Sequence, residues 1–244
     1  MVFLRASRYN MDMIYFILAI VIMFLSLFAQ AHVQSVFQRY AQKPTARGIY
    51  GGQLAQELLM QNGLTLPIQP VAGELTDHFD PKNQVVGLSE AVYGSNSVSA
   101  YAVAAHEIGH VMQYQEDHPL MRIRSAILPA ANLGSRIGPL LVMGGILISA
   151  FVSAAGNAGY YVALAGVALY AAVLLFQLVT LPVEFDASRR GLEMLTAGAY
   201  LTDEELPGAK KMLRAAALTY VLAALGSLVT VLRFLSIAQS TRRR

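Results

Sequence analysis

Four long apolar runs with few charged residues divide the chain into segments. A helix needs about 20 apolar residues, with a range of roughly 17–25, to cross the hydrocarbon core of a bilayer. The pattern therefore predicts a mainly α, polytopic membrane protein with about four transmembrane helices in a lipid bilayer. The runs are Met13–Ala31, Pro139–Ala155, Tyr160–Leu181 and Ala215–Leu232.

The first run has a second interpretation, as a cleaved signal peptide. Arg5 and Arg8 precede it, and Ala29-Gln30-Ala31 resembles a signal-peptidase cleavage site. However, the run is longer than the usual apolar region of about 7–15 residues. We therefore favour an uncleaved N-terminal transmembrane anchor over residues 1–31.

The polar segment after the first run shows helical and then strand-like periodicity. Leucines recur on one face of a predicted helix over Gly51–Asn62, and Gly63 is suited to end it. Further on, turn residues separate two short Val-containing segments. They predict a β-hairpin over 73–89, in which Gly73–Phe79 returns as Gln84–Ser89.

Composition excludes several kinds of site. The 244 residues include no cysteine, which excludes disulfides and thiolate metal ligands. The net charge is only +3, no tryptophan is present, and no glycine-rich phosphate loop occurs. We therefore expect no nucleic-acid partner.

A His-Glu-x-x-His motif lies in a helical pattern that runs from about Ser97 to Tyr114. His106 and His110 are four residues apart, so a helix places both imidazoles on one face, one turn apart. Two imidazoles and a carboxylate hold catalytic zinc with a position left for water. Glu107 is placed to take a proton from such a water, which the metal acidifies. The motif therefore predicts a one-zinc site for metal-assisted hydrolysis, most often of a peptide bond.

The third ligand is less obvious from the motif alone. A metzincin would need Gly at 113 and His at 116, where Gln113 and Glu116 stand. We favour Glu184, because we expect a new helix to begin there just after the third apolar run, and helices hold carboxylates rigidly. His118 is the second choice. The full set of candidates is Glu116, Asp117, His118, Glu184 and Asp186.

Three segments together resemble the YugP-type neutral zinc metallopeptidases of bacteria. The resemblance covers nearly the whole chain, from about Met13 to Leu235, and implies a membrane-bound gluzincin. It implies His106, His110 and Glu184 as zinc ligands and Glu107 as the base. The segments are Thr76-Asp77-His78-Phe79-Asp80-Pro81, Ala105-His106-Glu107-Ile108-Gly109-His110 and Leu181-Pro182-Val183-Glu184-Phe185-Asp186-Ala187-Ser188-Arg189-Arg190.

The last of these segments is also similar to the Glu-aromatic-x-Ala-Asp segment of HtpX-like and CAAX-processing membrane proteases. Ser188 stands in place of the terminal Asp of that segment.

A domain division follows from the runs and motifs. It comprises an anchor over 1–31, a zinc-peptidase domain over 32–137 with hairpin 73–89 and zinc helix 97–114, a transmembrane hairpin over 138–181, a third-ligand region over 182–214, and a last span with a basic tail over 215–244.

Two other functions compete with this prediction. Site-2-type intramembrane proteases have their motif inside a span and a Leu-Asp-Gly motif, which is absent here. A non-catalytic scaffold with structural zinc would need four protein ligands. We expect instead a protease whose polypeptide substrate binds in extended form along the hairpin, near the membrane. The sequence is equally compatible with a hairpin that only covers the zinc helix.

The expected location is the bacterial inner membrane. Basic residues lie on both sides of the predicted spans, so the positive-inside rule gives conflicting orientations. A start at Met11 or Met13 would remove Arg5 and Arg8 and favour a cytoplasmic active site. Resemblance to HtpX-like proteases implies the same orientation.

Overall fold

A computed structural model describes residues 2–152, 154 and 156–242, with the backbone alone for residues 2–12. Parts of three sequence predictions lie outside the described residues. They are the Ala155 end of the second apolar run, the side chains of Arg5 and Arg8, and Arg243–Arg244 of the basic tail.

The described residues are mainly helical, with one small sheet, which confirms the predicted fold class. In chain order the elements are α1 (Val2–Ala41), α2 (Gly51–Gln61), β1 (Ile68–Val71), β2 (His78–Asp80), β3 (Val85–Ser89), α3 (Glu90–Tyr93), α4 (Val98–Gln115), α5 (Pro119–Phe151), α6 (Ala158–Ala197) and α7 (Leu206–Thr241).

Among the described residues, four helices are long and apolar enough to cross a membrane, as the apolar runs predict. They are Met13–Ala41 within α1, and the whole of α5, α6 and α7. Contacts between residues divide the chain into two compact units. One contains the residues up to Phe28, Arg122–Leu181 and the residues from Tyr220 onward, and the other contains Ala29–Met121 and Pro182–Thr219.

In the first unit, α5 and α6 pack closely through glycines. A side chain at Gly134 or Gly145 would overlap the backbone of α6, and one at Gly166 would overlap that of α5. Gly156, between the two helices, has a positive φ of 53°. These contacts agree with the predicted transmembrane hairpin, since small residues let membrane helices approach closely.

The second unit has a three-stranded sheet in the order β1-β3-β2. β2 runs antiparallel to β3, which confirms the predicted hairpin, although the strands are shorter than predicted. β1 pairs with β3 in parallel, a pairing that the sequence did not predict. Pro70 in β1 is compatible with an edge strand, because proline lacks the N–H of an inner ladder. The side chains of Val86 and Leu88 on central β3 are fully buried.

One predicted helix boundary is wrong. No new helix begins at Glu184, because α6 continues from the third apolar run through Pro182 to Ala197. α5 likewise continues through Pro129 and Pro139. Long apolar helices tolerate proline because neighbouring groups satisfy the freed backbone carbonyl.

Candidate metal centre

The His-Glu-x-x-His motif lies in the middle of α4, which is buried over most of its length. Ser97 caps the helix by accepting a hydrogen bond from Ala100 N, and Ser99 Oγ donates to Phe37 O. The predicted helix over 97–114 is thereby confirmed to within a residue at each end. The imidazole rings of His106 and His110 lie side by side, with centroids 4.7 Å apart.

Small residues bring α6 unusually close to this helix. A methyl group at Gly109 would overlap the Ala187 carbonyl, and one at Gly191 would lie 2.9 Å from the Ala105 carbonyl. Each helix therefore contributes a glycine and an alanine four residues apart, and each glycine meets the partner's alanine. The two backbones can touch only because these positions carry no larger side chain.

This close approach brings Glu184 against the two histidines. Its Oε2 lies 3.3 Å from His106 Nε2 and 3.5 Å from His110 Nε2. One ligand atom from each residue lies within 4.8 Å of the other two. Two ligands at about 2.0–2.1 Å from a tetrahedral zinc would be roughly 3.3–3.4 Å apart, close to both carboxylate–imidazole distances. The donor set and its spacing therefore fit a zinc ion.

A buried glutamine fixes the orientation of the His110 ring. Gln113 Nε2 donates to Val183 O at 2.8 Å and to Asp186 Oδ2 at 2.9 Å. Because the amide nitrogen faces two acceptors, the amide oxygen must be the atom that lies 3.0 Å from His110 Nδ1. The ring then carries its proton on Nδ1, and its Nε2 presents a lone pair toward Glu184, as metal binding requires.

Asp186, one of the candidate ligands, does not join the cluster but supports it. Its carboxylate accepts hydrogen bonds from Gln113, Arg189 and Arg190. Arg190 also pairs with Glu116, another candidate ligand, at 2.8 Å. Asp186 and Glu116 therefore bind arginines rather than converge on the two histidines.

Ser188 supports the His106 ring in a similar way. Its Nδ1 lies 3.1 Å from Ser188 Oγ, on the ring side opposite Nε2. A hydroxyl group therefore supports this ring. A proton on His106 Nδ1 leaves Nε2 free to bind a metal.

Glu107 is buried beside the cluster, with 6% of the residue exposed. Among the described residues none hydrogen-bonds to its carboxylate. Burial raises the pKa of the Glu107 carboxyl above its ordinary value, although the nearby imidazoles oppose the shift. A buried carboxylate with a raised pKa and no protein partner is suited to accept a proton from a bound molecule.

The hairpin borders the same helix. β2 is a terminal strand of the sheet, and Phe79 packs edge-on against Tyr114 of α4 with ring centroids 5.6 Å apart. Asp77, just before β2, accepts hydrogen bonds from Ser89 N and Oγ. Its negative charge contributes to the raised pKa of Glu107, so the start of the hairpin lies near the motif.

The structure thus brings His106, His110 and Glu184 together and sets Glu107 next to them. His118, the second choice for third ligand, follows α4 and is not among the clustered donors in the described part of the chain. Sequence reasoning missed the supporting roles of Gln113, Asp186 and Ser188. A signal was present, because Gln113 lies three residues after His110, on the same helix face.

Comparisons with known proteins agree with this geometry. Residues 15–239 match a family model described as "putative neutral zinc metallopeptidase". The chain is also 42% identical over 226 residues to the "putative membrane protease YugP" of Bacillus subtilis (strain 168), an alignment that covers 92% of this chain and 96% of that protein. No solved structure matches the chain. The chain therefore belongs to the family of neutral zinc metallopeptidases that the model describes.

Proposed function

We propose that the protein is a membrane-bound gluzincin, in which His106, His110 and Glu184 hold one zinc ion and Glu107 is the general base of peptide hydrolysis. The observation that carries this proposal is the convergence of two imidazole nitrogens and one carboxylate oxygen on the buried face between α4 and α6. Zinc bound there would supply Lewis acidity and a water molecule of lowered pKa.

The residues of the chain have separate tasks in this reaction. Glu107 accepts a proton from the attacking water and passes it to the leaving amine, which its raised pKa favours. Gln113 and Ser188 keep the Nδ1 proton on each ligand histidine and hold both rings in place. Small residues at the α4–α6 contact keep Glu184 within reach.

A catalytic role is favoured over a scaffold with structural zinc. A structural zinc site takes four protein ligands, whereas a catalytic site takes three and leaves a position for water. The cluster found among the described residues has three members, and His118 does not supply a fourth. A free carboxylate next to the cluster, at Glu107, has no role in a structural site.

The test is peptide hydrolysis by the purified, zinc-loaded protein in detergent. Glu107→Gln keeps the size of the side chain but cannot accept a proton, so we expect a rate about 10²–10⁴-fold lower with an unchanged zinc content. His118→Gln is the matched control and should retain full activity. Equal hydrolysis by wild type and Glu107→Gln would refute the assigned base.

We further propose that the substrate is a polypeptide bound in extended form along the outer edge of β2. Support comes from the position of β2 as a terminal strand beside α4 and from the place of Asp77 near Glu107. A terminal strand presents unpaired backbone groups with which a peptide can pair.

Peptides with single N-methyl groups test strand pairing without changing the protein. A β-ladder uses the N–H groups of alternate residues on each side, so methylation should reduce kcat/KM at every second residue. A uniform loss, or none at any position, would exclude an extended strand at this edge. The unmethylated peptide provides the reference rate.

The active site is proposed to face the cytoplasm of a bacterial cell membrane. Because the chain has no cysteine, Lys82→Cys on the exposed hairpin turn would be its single thiol. We expect an impermeant thiol reagent to label this variant only after the cells are permeabilised. Labelling of intact cells would reverse the orientation.

A further inference from the structure

A pocket lies on the side of α6 opposite the metal cluster. Its volume is about 740 Å³, within the range of roughly 300–1,000 Å³ that small-molecule sites occupy. All of its lining residues belong to one unit, in the part of α6 after Leu181 and the first part of α7. They are Phe185, Ser188, Arg189, Leu192, Glu193, Thr196, Ala197, Lys210, Leu213, Arg214 and Ala217.

The pocket lining combines apolar and basic side chains. Phe185 follows the last residue of the third apolar run by four positions, and Ala217 lies at the start of the fourth run. Thr196 and Lys210 line the opposite end. From Phe185 to Thr196 the helix rises about 16 Å. The lining therefore begins next to two apolar runs and extends to polar residues away from them.

Two basic side chains in the pocket are not neutralised. Arg189 pairs with Glu193 at 2.8 Å, and these charges offset each other. Lys210 and Arg214 are both exposed and form no ion pair within the part of the chain that the structure describes. They are four residues apart, so both project from one face of α7 and can approach the same anion.

We propose that this pocket binds an anionic phospholipid, with the headgroup phosphate between Lys210 and Arg214 and an acyl chain along Phe185, Leu213 and Ala217. Basic side chains together with apolar residues next to the membrane-spanning runs suit a molecule with an anionic head and an apolar tail that reaches back toward the bilayer. Basic pockets beside membrane helices bind anionic headgroups on the face where such lipids are enriched. A free anion would use only the basic part of this lining.

The lipid would sit directly behind the metal centre without entering it. Ser188 lines the pocket and also contacts His106 Nδ1, on the ring side away from Glu184. The pocket is therefore distinct from the substrate edge at β2. Lipid binding does not depend on the proposed peptidase activity, and it can be measured with an inactive variant.

The test is native mass spectrometry of the detergent-solubilised protein, titrated with phosphatidylglycerol or with phosphatidylcholine. We expect wild type to bind phosphatidylglycerol more tightly, and Lys210→Gln or Arg214→Gln each to weaken it about fivefold, the effect of one basic residue near an anionic headgroup. Lys211→Gln is the matched control, because Lys211 is exposed and adjacent but does not line the pocket.

Several outcomes would overturn the proposal. Equal affinity for both lipids would mean that the pocket is only a hydrophobic groove. An equal loss in Lys211→Gln would indicate general surface charge, and full displacement of the lipid by inorganic phosphate would indicate a free-anion site. If a variant has a lowered melting temperature, a photoactivatable phosphatidylglycerol on wild type decides: crosslinks at Phe185 or Leu213 support the site, and crosslinks only elsewhere refute it.

Discussion

The two faces of α6 after Leu181 differ in packing although they share one helix. One face, with Val183, Glu184, Ala187 and Gly191, is pressed against α4 and almost fully buried. The other, with Phe185, Arg189 and residues further along, borders an open pocket. The same backbone thus places a carboxylate in a tight, buried site and arginine in a solvated one.

The difference shows what makes a buried charge tolerable. An ionised carboxylate away from water is strongly unfavourable unless it is paired or binds a metal. Glu184 is 3% exposed and meets two imidazoles, so it is held where a cation would stabilise it. Arg189 also pairs with Asp186 and Glu193, but more than half of its side chain is exposed, so water stabilises its charge as well.

The largest effect should come from disrupting the close contact between α4 and the buried face of α6. Gly109→Ala forces a methyl group into the Ala187 carbonyl, so α6 and Glu184 must move away. A displacement of about 1 Å can cost roughly 100-fold in rate. We expect at least that loss in hydrolysis, together with lower zinc occupancy and melting temperature.

Gly144→Ala is the control for this change, because a methyl group at Gly144 would meet no atom within 4 Å. Alanine is favoured over glycine in a helix by about 1 kcal/mol. The melting temperature of Gly144→Ala should therefore be unchanged or higher. Similar losses of activity and melting temperature in both variants would mean that the close α4–α6 contact does not position Glu184.

A smaller effect is expected from Gln113→Leu. The variant keeps the volume but removes the link from His110 to Val183 and Asp186. Loss of such a supporting hydrogen bond typically lowers metal affinity or activity about 10–100-fold. Zinc affinity is measured by competition with a chelator. Gln115→Leu, at an exposed position of the same helix, should have unaltered affinity.

Ser188→Ala should lower zinc affinity less than Gln113→Leu does, by about 10-fold. It removes one hydroxyl contact with His106 and leaves the Gln113 network intact. Ser188→Thr retains the hydroxyl and should restore zinc affinity in the same competition assay. If threonine fails to restore what alanine removes, the contact does not position His106.

The smallest effect is expected on the open face. Phe185 is 50% exposed, so Phe185→Ala should change the free energy of unfolding by about 0.5 kcal/mol or less. Zinc content and hydrolysis of a soluble peptide should match those of wild type. A large loss of zinc would show that the two faces are not independent.

The sequence predicted those features that depend on local periodicity. Apolar runs long enough for a bilayer gave the four candidate spans, and the four-residue spacing of His106 and His110 gave their common face. Glu184 was favoured from its place just after the third run, and it does lie against both histidines.

Features that depend on long-range contact were missed. The parallel pairing of β1 with β3 joins strands that are not neighbours in the chain, so no local pattern indicates it. The continuity of α6 through Pro182 was missed because proline usually ends a helix in water. The close contact between Gly109 and Ala187 joins two helices that are far apart in the chain, so the sequence of either helix alone does not indicate it.

X-ray absorption at the zinc edge tests the central claim most directly, because it counts the atoms bound to the metal. For wild type we predict two imidazole nitrogens, one carboxylate oxygen and one oxygen from solvent, as in a catalytic zinc site. Glu184→Gln should lose the carboxylate contact and most of the bound zinc, while His118→Gln should give the wild-type spectrum. Four protein ligands in wild type, or an unchanged spectrum for Glu184→Gln, would contradict the account.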